Sequence, residues 1–274
     1  MIKKVGMVGI GAMGQEMARH LINKGFQTIV YDLQPEQVKR AVANGAQGAR
    51  DIKELAAATD CSIVMVATDA QVEEVVQADK GILAGASAGH VILICSSVNP
   101  HVCQGLAQVA SKRSVSLLDA PVVFGLQGAA QAKLKTLVGG PEEALEKVRP
   151  VLNAFCSDIL HMGPVGNGQL TKTMNNMLHW TMIVANYEVL SLAKRCKIHP
   201  ARMREALLQC PATNGSLEHW MSHKLTWRQK DMDTVMELAQ EVNLPIPLHG
   251  LVDQLIMQLT PTMTHGLILD PLED

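Results

Sequence analysis

Nowhere does this chain approach the 18 consecutive apolar residues of a membrane-spanning helix, and no charged leader precedes the first strand-like run. Basic and acidic side chains, 24 and 26, are interspersed with a net charge of −2, so there is no basic stripe for nucleic acid and no polybasic segment for a membrane surface. Both partners are excluded as expectations, and the expected address is the cytoplasm. The six cysteines contain no C-x-x-C pair, which fits reduced thiols in a core and argues against a disulfide framework or a zinc site. The histidines show no H-E-x-x-H spacing, so His161, His179 and His199 read as surface or capping residues and no metal is expected. Repeats and low-complexity tracts are also missing.

What is present is long enough for two domains, at 274 residues and 47% hydrophobic content. The opening segment runs from a β-branched strand into Gly9-Ile10-Gly11-Ala12-Met13-Gly14 and then into an amphipathic helix. In a G-x-G-x-x-G turn the first glycine permits the tight bend, the second lets a pyrophosphate approach the backbone, and the third allows close strand-to-helix packing. A second strand, Gln27 to Asp32, ends in an acid 18 residues beyond Gly14, where a carboxylate can accept hydrogen bonds from ribose hydroxyls. Asp32 repels a 2′-phosphate, and residues 33 to 36 hold no arginine, which favours NAD; Lys39 and Arg40, one helical turn on, keep NADP open.

Apolar runs alternate with helical stretches through the first 160 or so residues: Val5 to Val8, Thr28 to Tyr31, Ser62 to Val66, Val91 to Cys95, Val115 to Leu118, Leu134 to Val138 and Asp158 to His161. The first five read as parallel strands, and the last two, separated by a helix over Pro141 to Phe155, as an addition at the sheet edge. Ligands in such sheets sit beyond the carboxyl ends of the strands, so the loops after residues 8, 32, 66, 95 and 119 are expected to line the cofactor crevice. Beyond Gly168 neither proline nor glycine appears until after Arg195, and shorter helices follow over Pro200 to Leu208, Ser216 to Lys224, Lys230 to Val242 and Leu248 to Leu259. The predicted class is α/β: an N-terminal Rossmann doubly wound sheet over residues 1–163, then an all-helical domain over 164–274 that is joined by a long interdomain helix. Apolar residues surround that helix, which predicts burial on most sides.

At the start of the long helix, Lys172 and Asn176 are four residues apart and share one face, so an amine and a carboxamide can converge on one carbonyl oxygen. The spacing alone equally describes a solvated lysine on a helix flank.

Several motifs in order resemble the β-hydroxyacid dehydrogenase family, which includes 3-hydroxyisobutyrate dehydrogenase and tartronate semialdehyde reductase. The glycine turn with Met13 resembles its cofactor turn, Cys95-Ser96-Ser97-Val98-Asn99-Pro100 its D-x-S-T-x-x-P loop, and Asp119-Ala120-Pro121-Val122 with Gly125, Gly128 and Ala129 its substrate loop D-A-P-V-S-G-G-x-x-G-A. Gly166 to Asn176 is similar to G-x-G-x-x-x-K-x-x-N-N, and Lys230-Asp231 to K-D-L. The resemblance implies that Lys172 is a general acid/base, that Asn176 orients substrate, that Ser97 lies near the nicotinamide half, and that Lys230 closes over the cofactor. By the same resemblance Ser96, Val123, Phe124 and Gly125 fall on the substrate side. Ser96 and Ser97 read equally well as caps of the helix that begins near Asn99-Pro100.

Val123-Phe124 stands where the family usually has Ser-Gly, removing a hydroxyl and adding a ring that enlarges apolar contact. This predicts a small-molecule substrate other than the family's usual small hydroxyacids, while backbone N–H groups near Gly125 can still hold a carboxylate. The first expectation is an NAD(P)-dependent dehydrogenase or reductase acting on a hydroxy compound; the alternatives are a non-catalytic, redox-sensing NAD-binding dimer and an imine reductase on the same fold. A homodimer or higher homo-oligomer is the expected assembly.

Overall fold

The computed structural model describes residues 2–271. The chain divides into two compact units, Met1–Lys172 and Thr173–Asp274. The first begins with β1 (Lys4–Val8), α1 (Ala12–Asn23), β2 (Gln27–Tyr31), α2 (Pro35–Ala43), β3 (Gln47–Gly48), α3 (Ile52–Ala57) and β4 (Cys61–Val64). It continues with α4 (Asp69–Gln77), α5 (Ile82–Gly85), β5 (Val91–Ile94), α6 (Pro100–Ser111), β6 (Ser116–Asp119), β7 (Val122–Val123), α7 (Gly125–Ala130), β8 (Leu134–Val138), α8 (Glu142–Leu152) and β9 (Cys156–His161). The long helix α9 (Asn167–Arg195) starts in this unit.

Strands β1 to β6 form one parallel sheet in the order β3-β2-β1-β4-β5-β6, the doubly wound arrangement predicted from the alternation of apolar runs and helices. Two buried clusters divide the sheet's side chains by alternation: Val5, Met7, Ile63 and Leu93 belong to one, and Val8, Val64, Ile92 and Ile94 to the other. Both faces are covered, which is why these strands read as continuous apolar runs. The expected addition at the sheet edge is a separate three-stranded sheet instead, β7-β8-β9, with β7 antiparallel and β9 parallel to β8. It is tied to the main sheet by the bridge from Asp119 to Gly139, and past Ala120-Pro121 the chain pairs β7 with β8. The two-residue strand β3 carries exposed Gln47 and Gly48 and leaves no periodic signal in the sequence.

Between β4 and β5, the buried His90 ring lies 2.9 Å from Ser62 Oγ through Nε2 and 3.2 Å from the Thr59 carbonyl through Nδ1. The carbonyl can only accept, so Nδ1 carries the proton and Nε2 accepts from the serine. Burial pulls the pKa of this imidazole down to about 4. An unfolded chain protonates His90 near the ordinary histidine value and the folded one only near 4, so the unfolded state holds more protons in between. The contribution is therefore complete above the ordinary value and is lost as pH falls toward 4, about 3 kcal/mol over the whole window. Urea midpoints measured at about pH 7.5 and about pH 4.5 are expected to separate less in His90→Gln than in the native chain; an equal separation would refute the assignment.

The second unit continues α9 and adds α10 (Pro200–Leu207), α11 (Gly215–Glu218), 3-10 turns at Trp220–Ser222 and Leu225–Trp227, α12 (Arg228–Glu241), α13 (Pro247–Gln258) and α14 (Pro261–Leu269). No strand occurs among its described residues. The single helix predicted over Ser216 to Lys224 is a short helix and one 3-10 turn, because the backbone leaves the helical path at His219 and becomes extended at His223. Helix α14 was not predicted; Thr260 caps it by accepting from Met263 N at 3.2 Å, and Pro261 opens it. Around Ile183, Val184, Leu225, Met232, Val252 and Ile256 a separate core forms, and Trp180 Nε1 donates to Asp231 Oδ2 at 3.0 Å, tying α9 to the first turn of α12.

Burial of α9 on most sides does not hold. Leu170, Met174, Leu178, Val189 and Leu192 are exposed, Leu192 at 65%, and at 3.6 residues per turn they fall within about 100° of arc. Lys172 and Asn176 lie on the other side of the helix.

Candidate active site

Gly9 adopts φ +90°, which L side chains rarely take, and a Cβ there would also strike the Met65 carbonyl. A Cβ on Gly14 would run into the Gly9 carbonyl, so α1 can pack this close to β1 only with glycine at that position. Around Gly11 no atom lies within 4 Å of a Cβ position. Open volume therefore faces the turn, and the first-turn N–H groups of Ala12, Met13 and Gly14 have no acceptor within the helix. The cradle fits a pyrophosphate.

Across the strand ends, Asp32 accepts from Ile10 N at 2.7 Å through Oδ2 and from Gln34 N at 2.8 Å through Oδ1. These two bonds fix the carboxylate between the glycine turn and the start of α2, and each oxygen retains a lone pair for a ribose hydroxyl. Lys39 pairs with Glu36 at 2.6 Å on the exposed face of α2.

The two serines have different surroundings. Ser96 is buried; its Oγ accepts from Val66 N at 2.8 Å and lies 3.5 Å from the Val64 carbonyl. This hydroxyl is occupied in joining the ends of β4 and β5, which replaces the expectation that it meets substrate. Ser97 is half-buried in the following loop. Capping of α6 falls to neither serine: Asn99 does it, accepting from His101 N at 2.9 Å.

Val123 ends β7 and is half-buried, whereas Phe124 is 60% exposed. The expected gain in apolar contact inside this unit is absent, because Phe124 sits at φ +78°, in the left-handed region, and caps α7 with its side chain outside. That backbone conformation is the one for which glycine is suited, and glycine is what the resembling family has there. The Lys135 ammonium lies 5.7 Å from the ring centroid and 3.4 Å from Asp158. Gly125, the next residue, also has a positive φ and is exposed.

Lys172 and Asn176 are both half-buried, one turn apart on α9. What fixes this end of the helix was not read from the sequence. Asp119, fully buried at the end of β6, accepts from Gly166 N at 2.7 Å through Oδ1 and from Gln169 N at 2.8 Å through Oδ2. Gln169, also buried, donates from Nε2 to the Ser96 carbonyl at 2.7 Å and accepts at Oε1 from Val98 N at 3.1 Å. Burial raises the Asp119 pKa, and the backbone N–H groups of Gly166 and Gln169 oppose that rise. Gly168 is needed because a Cβ there would collide with the Leu137 carbonyl and the Asp119 carboxylate. The signal for this anchor was present in the sequence as an acid ending an apolar run and a glutamine inside a G-x-G-Q segment, but such residues say nothing alone about a partner some 50 positions away.

In the second unit, Lys230 is half-buried in the first turn of α12, beside Asp231. Of the three histidines read as capping or surface residues, His199 caps α10 by accepting from Ala201 N at 3.2 Å. His161 Nε2 lies 2.8 Å from the Gly140 carbonyl, and His179 Nδ1 lies 3.1 Å from Ser216 Oγ. Four cysteines are buried, and Cys196 and Cys210 are exposed. Among the described residues no group of three or more His, Cys, Asp or Glu could hold a metal ion, and no helix is long and apolar enough to cross a membrane.

Comparison with known proteins places both halves. Residues 4–163 match the NAD binding domain of 6-phosphogluconate dehydrogenase, and residues 166–267 match the NAD-binding domain of NADP-dependent 3-hydroxyisobutyrate dehydrogenase. The chain is 31% identical over 263 residues to 2-(hydroxymethyl)glutarate dehydrogenase of Eubacterium barkeri, covering 92% of this chain and 87% of that protein. It is 34% identical over 213 residues to 3-hydroxyisobutyrate dehydrogenase of Pseudomonas aeruginosa, covering 78% and 72%. The crystal structure of 3-hydroxyisobutyrate dehydrogenase from Salmonella typhimurium superposes with a TM-score of 0.83 at 26% identity, covering 93% of each chain.

Proposed function

Because the chain belongs to the β-hydroxyacid dehydrogenase family and is an NAD(P)-dependent oxidoreductase acting on CH–OH groups, we propose that it interconverts a 3-hydroxyacid and its aldehyde acid, with Lys172 as proton donor and acceptor. The substrate class rests on chemistry that two relatives share by name: 2-(hydroxymethyl)glutarate and 3-hydroxyisobutyrate both carry a hydroxymethyl group on the carbon next to a carboxylate. The matched segments, 4–163 and 166–267, support a dinucleotide domain over 1–163 and a helical domain over 164–274, while the compact units divide a few residues later, after Lys172.

The bound dinucleotide supplies hydride exchange with the carbon that bears the hydroxyl. Gly9, Gly11, Ala12, Met13 and Gly14 hold its pyrophosphate, and Asp32 accepts from its ribose. The fixed Asp32 carboxylate would repel a 2′-phosphate, which supports NAD over NADP. Ser97 and Lys230 complete the cofactor site. Lys172 gives its Nζ proton to the substrate oxygen in the reducing direction and removes it in the oxidising one, while Asn176 holds the same oxygen. The family resemblance assigns Val123, Phe124 and the Gly125 backbone to the rest of the substrate; the Phe124 ring, exposed on this unit, offers apolar contact to a substituent larger than the methyl of 3-hydroxyisobutyrate.

The observation that carries this reading is the double anchoring of the start of α9 by Asp119 and Gln169, which spends two buried polar side chains on holding the turn before Lys172. The test is nicotinamide absorbance change with NAD and with NADP across 3-hydroxyisobutyrate, serine, 2-(hydroxymethyl)glutarate and longer 2-substituted 3-hydroxypropionates. Turnover is expected with NAD and to rise with the size of the 2-substituent; silence across the panel despite NAD binding would instead favour a redox-sensing role.

The exposed apolar stripe on α9 supports a homodimer, since a row of five large side chains along one helix is more than scattered surface apolarity. Sedimentation at the mass of one chain would remove that part of the proposal.

A further inference from the structure

The second unit contains a cavity of about 590 Å³ whose wall includes His223, Lys224, Thr226, Arg228, Gln229 and His265 and no acidic residue. Two of these, Lys224 and Arg228, are cationic, in a chain whose acids outnumber its lysines and arginines. His265 Nε2 is buried and has no hydrogen-bond partner. A buried polar nitrogen costs about 1–3 kcal/mol when nothing satisfies it. The other groups have their fold contacts on one side only. His223 Nε2 donates to the Ser216 carbonyl at 2.6 Å and burial lowers the pKa of this imidazole, so its Nδ1 is an acceptor and the cationic groups of the wall are Lys224 and Arg228. The Arg228 guanidinium donates from Nη1 to the Leu225 carbonyl at 3.1 Å, which holds the arm in place and leaves its remaining N–H donors for another acceptor. Arg228 also opens α12 with no side-chain cap, so first-turn N–H groups add to the same positive field.

From this we propose that the cavity is a binding site for a small, multiply charged anion carrying carboxylate or phosphate oxygens, separate from the pyrophosphate cradle. The anion accepts from Arg228 and is screened by Lys224. Two sources share this chemistry: the charged tail of a substrate and a free metabolite acting as an effector.

The test is isothermal titration of the whole protein with inorganic phosphate and with citrate, NADH being kept saturating so that the glycine turn is already filled. Saturable binding is expected. It should weaken at least tenfold in Arg228→Gln and in Lys224→Gln, whose exposed side chain can be changed without cost to folding, and should persist in Lys172→Ala. A substrate tail is indicated if citrate raises KM and leaves kcat unchanged, an effector if it changes kcat or the melting midpoint with KM constant. Binding that vanishes once NADH saturates, or that is unchanged in both charge variants, overturns the site; failure of the dehydrogenase assay alone does not.

Discussion

Replacing Lys172 with alanine is expected to lower kcat by about 10²–10⁴, the usual contribution of a positioned proton donor, while the dissociation constant for NAD stays within about twofold. The separation of the two effects follows from position. The dinucleotide cradle is made by Gly9 to Gly14 at the end of β1, and the ammonium belongs to a helix that begins more than 150 residues later. Removing the amine leaves the fold contacts of that helix start in place, since these are made by Asp119 and Gln169. Lys172→Arg should not restore turnover, because a guanidinium stays protonated at working pH and cannot serve as acceptor in the oxidising direction. Steady-state kinetics in both directions, with fluorescence titration of NADH, decide the matter. Unchanged turnover in the alanine variant would refute the role of Lys172 and leave an NAD-binding protein whose chemistry lies elsewhere.

A second large effect is expected from Asp119→Ala, although this residue touches no reacting atom. The carboxylate satisfies two buried N–H groups, of Gly166 and Gln169, and its loss leaves both without a partner in a niche too tight for a side chain at Gly168. At about 1–3 kcal/mol for each of the two orphaned donors, the gross destabilisation is about 2–6 kcal/mol, which corresponds to a melting midpoint lower by roughly 4–24 °C for a unit of this size. Part of the gross energy is offset, because burial makes the charged carboxyl costly, as its raised pKa records. Turnover should fall as well, by about 10²-fold for a misplacement of about 1 Å at Lys172. Asp119 is a positioning residue, so the loss should appear in kcat with NAD affinity retained, and Asp119→Asn, which keeps one acceptor oxygen, should recover part of both losses. Amide hydrogen exchange at Gly166 and Gln169 supplies the readout that stability alone would not: faster exchange there than in β1 or β5 is expected, and uniform acceleration across the sheet would mean that Asp119 supports the whole unit and does not specifically hold this helix end.

Much of the first unit was legible because parallel strands buried on both faces must be apolar at every position. Val91 to Ile94 is such a run, and the helices between runs carry their own periodicity. The glycine turn was legible for a related reason: Gly9 and Gly14 are demanded by local backbone geometry, which acts over a few residues. The β7-β8-β9 sheet was misread as an edge addition because the two-residue strand β7, which pairs with β8, carries no period. Ser216 to Lys224 was misread for a similar reason, since an amphipathic pattern does not reveal where residues such as His219 and His223 interrupt it.

Local chemistry is what the chain states directly: a bend only glycine can make, an acid where a ribose would lie, an amine and a carboxamide one helical turn apart. Those features follow from neighbours within a few residues, so their order along the chain is enough to read them. Packing at a distance decided the rest. Ser96 was offered to substrate by its motif and taken by Val66 N, Phe124 was offered to an apolar interior and turned outward by a left-handed backbone, and Asp119 and Gln169 became the fastening of the helix that carries Lys172. A buried hydrogen-bonding group must find its partner wherever the folded chain brings one, and that partner can lie 50 or 73 positions away, beyond the reach of any period or spacing.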